Sequence, residues 1–246
     1  MCTVTWCRDT GRYHLFFNRD EKRARLPALP PEIQSTSSGI RFIAPIDGDL
    51  GGTWLLVNEY GVSIGILNHY EADTRFEPAD PVTRGRLPFS LAESVSVKDV
   101  AASLSTLSLP RYRPFHLFAI DLDNSLYQWT WSGPPLPIAS HGQVSPPLTS
   151  SSFESTAVCS ARRRSFRALP APFSPELLDG YHRCQEPGRE AYSVNMARPD
   201  ARTVSISHVS VSMEEISYSY TPMPEQADQH LSSSELSIER IAPPQS

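Results

Sequence analysis

Two short stretches carry the residue types that could do chemistry. The first is Cys2, a thiol one residue from the start of the chain. Chain ends are seldom anchored in a core, so packing is a poor reason for a cysteine there. If Met1 is removed, Cys2 carries a thiol and a free α-amine on one residue. An amine of pKa about 7.7–8 then sits beside a thiol of pKa about 8.5. That pairing gives a nucleophile its own general base. The second stretch is Asn18-Arg19-Asp20-Glu21. The Asp20 carboxylate can hold the α-ammonium through charge-assisted hydrogen bonds. Arg19 beside the sulfur favours the thiolate.

These residues meet only if the chain folds as hairpins. "TVTWC" and "RYHLFFNRDE" are β-branched, aromatic or apolar runs joined by "RDTG", in which Asp9 and Gly11 supply turn chemistry. Pairing through that turn sets Cys2 opposite residue 17, within one or two positions, and brings residues 18–21 out beside it. "TWLLVN" and "VSIGILNHY" form a second hairpin, and Gly51-Gly52 before it permit either a tight backbone approach or a plain bend. "HLFF" and "WLLV" are apolar on both faces, which predicts strands covered on each side, as in a layered αββα sandwich.

Further along, "FSLAESVSVKDVAASLSTLSL" predicts two short amphipathic helices, with Ser96 and Asp99 as a capping box. "FHLFAIDLD" and "SLYQWTWS" predict a strand pair turned at Asp123-Asn124. "SSFESTAVCSARRRSFRAL" predicts a helix, and "SPELLDGYH" another with Ser174 at the N-cap and Pro175 at N1. "TVSISHVSVS" and "EEISYSYTP" predict a late hairpin. Residues 1–224 are expected to form a single domain. Residues 225–246, rich in Ser, Pro and Gln, are expected to be a disordered tail.

Composition narrows the function classes. The 246 residues are 39% hydrophobic and 20% charged with a net charge of −5, which suits a soluble globular protein and argues against a nucleic-acid partner. No apolar run approaches the ~20 residues of an integral membrane segment, and no signal-peptide pattern opens the chain, so a cytoplasmic location is expected. Cysteines at 2, 7, 159 and 184 show no metal-ligand spacing, and neither a metal nor another cofactor is expected.

Taken together, "MCTVTW", "FFNRDE", "GGTW" (51–54), "LNHY" (67–70), "TRG" (83–85) and "REAYSVNMARPDARTVS" (189–205) resemble the NRDE family, which includes the transport-and-Golgi-organisation proteins. That family in turn resembles the N-terminal-nucleophile hydrolases with a cysteine nucleophile, such as bile-salt and penicillin amidases. The resemblance implies an α+β, four-layer αββα sandwich with antiparallel sheets. It implies a cysteine hydrolase or acyltransferase cleaving a non-peptide amide or thioester of a small molecule. Cys2 would be the nucleophile, Arg19 and Asp20 its second-strand partners, and Asn68 the oxyanion donor. Asn18 and Trp54 are substrate-binding candidates. Asn195 and Arg202 are the nearest later candidates for a second asparagine and arginine found in such amidases. The alternative is a non-catalytic binding or trafficking protein for a haem-like, acyl-CoA or lipid ligand.

Three features have bland readings alongside sharper ones. The run Arg162 to Arg167 reads as a solvated helix face, or as a phosphate or carboxylate site. His14 and His69 read as structural, with proton transfer or binding of an iron as the alternative. Cys7, on the strand face opposite Cys2, reads as a small buried hydrophobe. The oligomeric state is not legible in the sequence.

Overall fold

The computed structural model describes residues 2–72, 76–223 and 232–244. Thirteen strands and four helices of these residues are arranged in four layers. One sheet has the order β10-β1-β2-β11-β12-β13, built from β1 (Cys2–Asp9), β2 (Arg12–Lys22), β10 (Leu148–Ser150), β11 (Ala201–Val211), β12 (Glu215–Pro222) and β13 (Ser234–Glu239). The other has the order β3-β4-β5-β6-β7-β8-β9, built from β3 (Leu29–Ser35), β4 (Arg41–Ile46), β5 (Leu55–Asn58), β6 (Ser63–Asn68), β7 (Phe115–Ile120), β8 (Tyr127–Trp131) and β9 (Ala139–Gln143). Every pairing is antiparallel.

The inner layer follows from strand alternation. Val4 and Trp6 of β1 and Tyr13, Leu15 and Phe17 of β2 share one face and pack against Ile43, Leu55, Val57 and Phe118 of the other sheet. The opposite face of β1 and β2 turns Cys7 and Phe16 toward helices α3 (Ser155–Arg167) and α4 (Pro175–Arg183). Helices α1 (Arg86–Ser90) and α2 (Val97–Thr106) cover the outer face of the second sheet through Leu87, Val97, Val100 and Leu104. This is the expected αββα sandwich, with both faces of the central strands dry.

Helix starts match the expected caps. Ser96 Oγ accepts from the Asp99 N–H at 3.2 Å, and Ser174 Oγ accepts from the Leu177 N–H at 3.3 Å. One expectation is corrected. Residues 234–239 are not a disordered tail but an edge strand that pairs with β12 from Glu215↔Glu239 to Tyr220↔Ser234. The exposed alternation of "SELSIE" buries only Ile238 well, too faint a signal against its polar flanks. Residues 224–231 and 245–246 lie outside the described residues. The edge strand β3 begins at Leu29 within the proline-rich "LPALPP"; an edge strand tolerates prolines that a central strand would not.

Candidate active site at the Cys2 cleft

The first hairpin turns at Thr10-Gly11, with Gly11 at φ +73°, a value glycine adopts without strain. Asp9 therefore pairs with Arg12, and the register carries Cys2 directly opposite Arg19, two positions beyond the expected residue 17 and within its range. Directly opposed side chains share a face, so the Cys2 thiol and the Arg19 guanidinium both point inward. They open into a cleft of roughly 130 Å³ that is also lined by Asp20, Trp54 and Asn68.

Arg19 is held rigidly. Its Nη2 donates to Asp47 Oδ2 at 2.5 Å, and its guanidinium lies 4.2 Å from the centre of the Trp54 ring. Nη1, although buried, has no hydrogen-bond partner. A buried unsatisfied donor is costly, so this N–H is a natural anchor for an acceptor entering the cleft.

Asp20 lies on the opposite face of β2 and is 2% exposed. Its Oδ2 accepts from Arg162 Nη2 at 3.1 Å and its Oδ1 from Thr203 Oγ1 at 2.6 Å. Arg162 is thus not part of a solvated face. It is 1% exposed and also donates to Thr3 Oγ1 at 2.9 Å and the Ser193 carbonyl at 3.0 Å. Arg163, Arg164 and Arg167 are exposed as expected. The signal for Arg162 was present: Val158, Cys159 and Phe166 mark the buried face of α3, and Arg162 falls among them at helical spacing.

Burial pushes the Cys2 thiol up from its ordinary value. The positive chain terminus and the Asp20 backbone N–H pull it back, while the charges of Asp20 and Glu21 add to the rise. Asn68, at the end of β6, reaches the cleft with its Nδ2 donating to Tyr70 Oη at 2.6 Å. The "GGTW" and "TRG" motifs meet backbone to backbone here. The Thr53 N–H donates to the Gly85 carbonyl at 2.9 Å, and a Cβ on Gly52 would stand 2.7 Å from Gly85 Cα. Only glycine fits that crossing. The same crossing brings Arg84, which sequence reasoning did not single out, to the cleft wall, where burial pulls its guanidinium pKa down.

Three candidates do not line the cleft. Asn18 faces the helices, where its Nδ2 donates to the His182 and Val194 carbonyls and its Oδ1 accepts from His182 Nδ1 at 2.7 Å. Alternation explains this: Asn18 has the opposite parity to Arg19. Asn195 donates to the Arg183 carbonyl at 3.4 Å beyond α4, and Arg202 pairs in register with Glu21 from β11. His14 stands away from the cleft, with Nδ1 3.0 Å from His208 Nε2. His69 lines a neighbouring cavity with His116, their rings 4.3 Å apart. No group of three or more metal-ligating side chains gathers among the described residues.

Residues 1–158 match the family described as Transport and Golgi organisation 2. The chain belongs to that family. Among solved structures, the Caenorhabditis elegans ortholog of N-acylethanolamine-hydrolyzing acid amidase aligns with a TM-score of 0.57 at 10% identity, covering 96% of this chain and 100% of that one. Penicillin V acylase from Agrobacterium tumefaciens aligns at 0.55 and 10%, covering 91% and 84%. A mutant conjugated bile acid hydrolase from Clostridium perfringens aligns at 0.54 and 14%, covering 97% and 92%. At these identities the likeness is one of fold: the chain shares with these proteins a layered sandwich of two antiparallel sheets. No curated protein matches it by sequence. No helix among the described residues is long and apolar enough to cross a membrane.

Proposed function

We propose that the chain is a cysteine hydrolase or acyltransferase that cleaves a non-peptide amide or thioester of a small molecule, with Cys2 as nucleophile after removal of Met1. The observation that carries this reading is the convergence of Cys2, Arg19, Trp54 and Asn68 on one cleft, with the Asp20 carboxylate buried behind it. In this reading the Cys2 α-amine takes the thiol proton and the sulfur attacks the substrate carbonyl carbon. The oxyanion that forms is met by the Asn68 amide, whose second N–H remains for it. Collapse expels the amine or thiol, which takes back the proton, and water or an acyl acceptor then cleaves the acyl-enzyme thioester. Arg19 Nη1 fixes an acceptor atom of the substrate, and the Asp20–Arg162 pair holds β1 and β2 in register beneath the sulfur.

The second reading is a non-catalytic carrier for a haem-like or acyl-CoA-like ligand in the same cleft. The thiol raised by burial favours it, because a nucleophile needs thiolate character. Intact mass of the purified chain and turnover of a panel of N-acyl amides and acyl thioesters separate the two. The hydrolase reading expects loss of Met1, a drop of about 10³-fold or more in Cys2→Ala, and about 10²–10³-fold in Asn68→Ala. Retained Met1, or equal turnover by wild type and Cys2→Ala, sinks the hydrolase reading. Absence of turnover with ligand binding unaltered by Cys2→Ala establishes the carrier.

A further inference from the structure

On the far side of the first sheet from the inner core, α3 presents Arg163 and Arg167, one turn apart. Both line a groove of about 640 Å³ whose apolar walls are Phe166, Leu169, Phe173 and the Pro146-Pro147 corner. The Phe166 and Phe173 rings meet at a tilt of 48° with centroids 4.8 Å apart, which puts two aromatic rings side by side in the groove wall. Among the described residues, neither guanidinium has a hydrogen bond or ion pair. Glu71, which shares a neighbouring cavity with Arg163, is held by Ser155 Oγ at 3.0 Å at the start of α3 and does not line the groove.

Two like charges at i and i+4 repel, and a surface helix with no use for them gains by interspersing acids. This chain has the acids to do so, 27 against 22 basic residues, yet neither α3 itself nor the lining of the groove carries one. A groove of this size with apolar walls and charge confined to one rim has the build of a small-molecule site. Its charge selects an anion, and paired guanidiniums match the oxygens of a carboxylate or phosphate. The apolar floor beside them selects a hydrocarbon body. We propose that the α3 groove binds a single-chain anionic amphiphile, with its carboxylate or phosphate head between Arg163 and Arg167 and its alkyl chain along Phe166, Phe173 and Leu169. The site is separate from the Cys2 cleft and does not rest on the chemistry proposed there.

Calorimetric titration of the full chain tests it, with dodecanoate and dodecyl phosphate below their micellar concentrations as probes. Dodecanol, dodecyltrimethylammonium and phosphatidylcholine vesicles containing phosphatidylserine serve as comparisons. Both anions should bind with unit stoichiometry, and the alcohol and the cation at least roughly tenfold more weakly. R163Q/R167Q, at two exposed positions, should weaken anion binding roughly tenfold while leaving its thermal transition and its binding of dodecanol unchanged. Cys2→Ala should bind as wild type does. Equal binding of dodecanoate by R163Q/R167Q, equal affinity for the cationic amphiphile, or binding to vesicles without binding of free amphiphile would each overturn the proposal.

Discussion

Replacing Arg162 by methionine removes the guanidinium beneath the candidate site while keeping most of its volume. Both side chains of the Arg162–Asp20 pair have 0% exposure, and their Nη2–Oδ2 distance is 3.1 Å. The variant therefore leaves the Asp20 carboxylate in a dry layer between sheet and helix without its guanidinium partner. The Ser193 carbonyl also loses its 3.0 Å donor. Thr3 and Thr149 are spared, because their hydroxyls bond each other at 3.0 Å. Removing one partner of a buried pair costs about 3–5 kcal/mol. Against a typical domain stability of about 5–15 kcal/mol, that is a large share. Removing both charges is different. In Arg162→Met/Asp20→Leu neither charge of the pair remains to be desolvated, and Thr203 Oγ1 keeps the Met196 N–H at 2.8 Å and the Val194 carbonyl at 3.3 Å. The double variant should recover to within about 2 kcal/mol of wild type, since apolar replacement of a buried pair is often neutral. Urea unfolding followed by tryptophan fluorescence measures both. A single variant that loses less than about 1 kcal/mol, or a double variant as unstable as the single, would refute the reasoning.

Gly52→Ala forces a Cβ to 2.7 Å from the Gly85 backbone and should destabilise by about 1–3 kcal/mol. Gly85→Ala, whose nearest contact is 3.0 Å, should cost less, so the reverse order in urea titrations would contradict the crossing. Acid should weaken the fold through His116 and His182, whose pKa values burial lowers to about 3 each. Unfolded, each takes a proton near pH 6.5, so stability is full above that value, falls with pH below it, and levels off near 3. At pH 5 each histidine removes about 2 kcal/mol. A melting temperature unchanged between pH 7.5 and pH 5 would show that these imidazoles are not held neutral.

The hairpin that sets Cys2 against Arg19 was legible because turn chemistry and register are local. Residues 8–11 contain the turn, and period-2 alternation fixes which side chains share a face. The same alternation, applied to Asn18, excludes it from the cleft once Arg19 is known to face inward. The layered fold was legible because "HLFF" and "WLLV" are apolar on both faces. The edge strands β3 and β13 were not, since an edge strand buries few side chains and leaves little pattern.

The sequence by itself determined a cysteine nucleophile candidate, its cross-strand arginine and a motif set that marks the family. Only the tertiary structure decided what supports them. Arg162 reaches Asp20 across 142 positions and Thr203 reaches it across 183, so neither partnership leaves a local trace. Gly52 and Gly85 are required by a backbone crossing between segments that are remote in sequence, and that crossing brings Arg84 to the cleft. Local periodicity can say which face a side chain occupies. Which charge it meets there depends on how the layers stack.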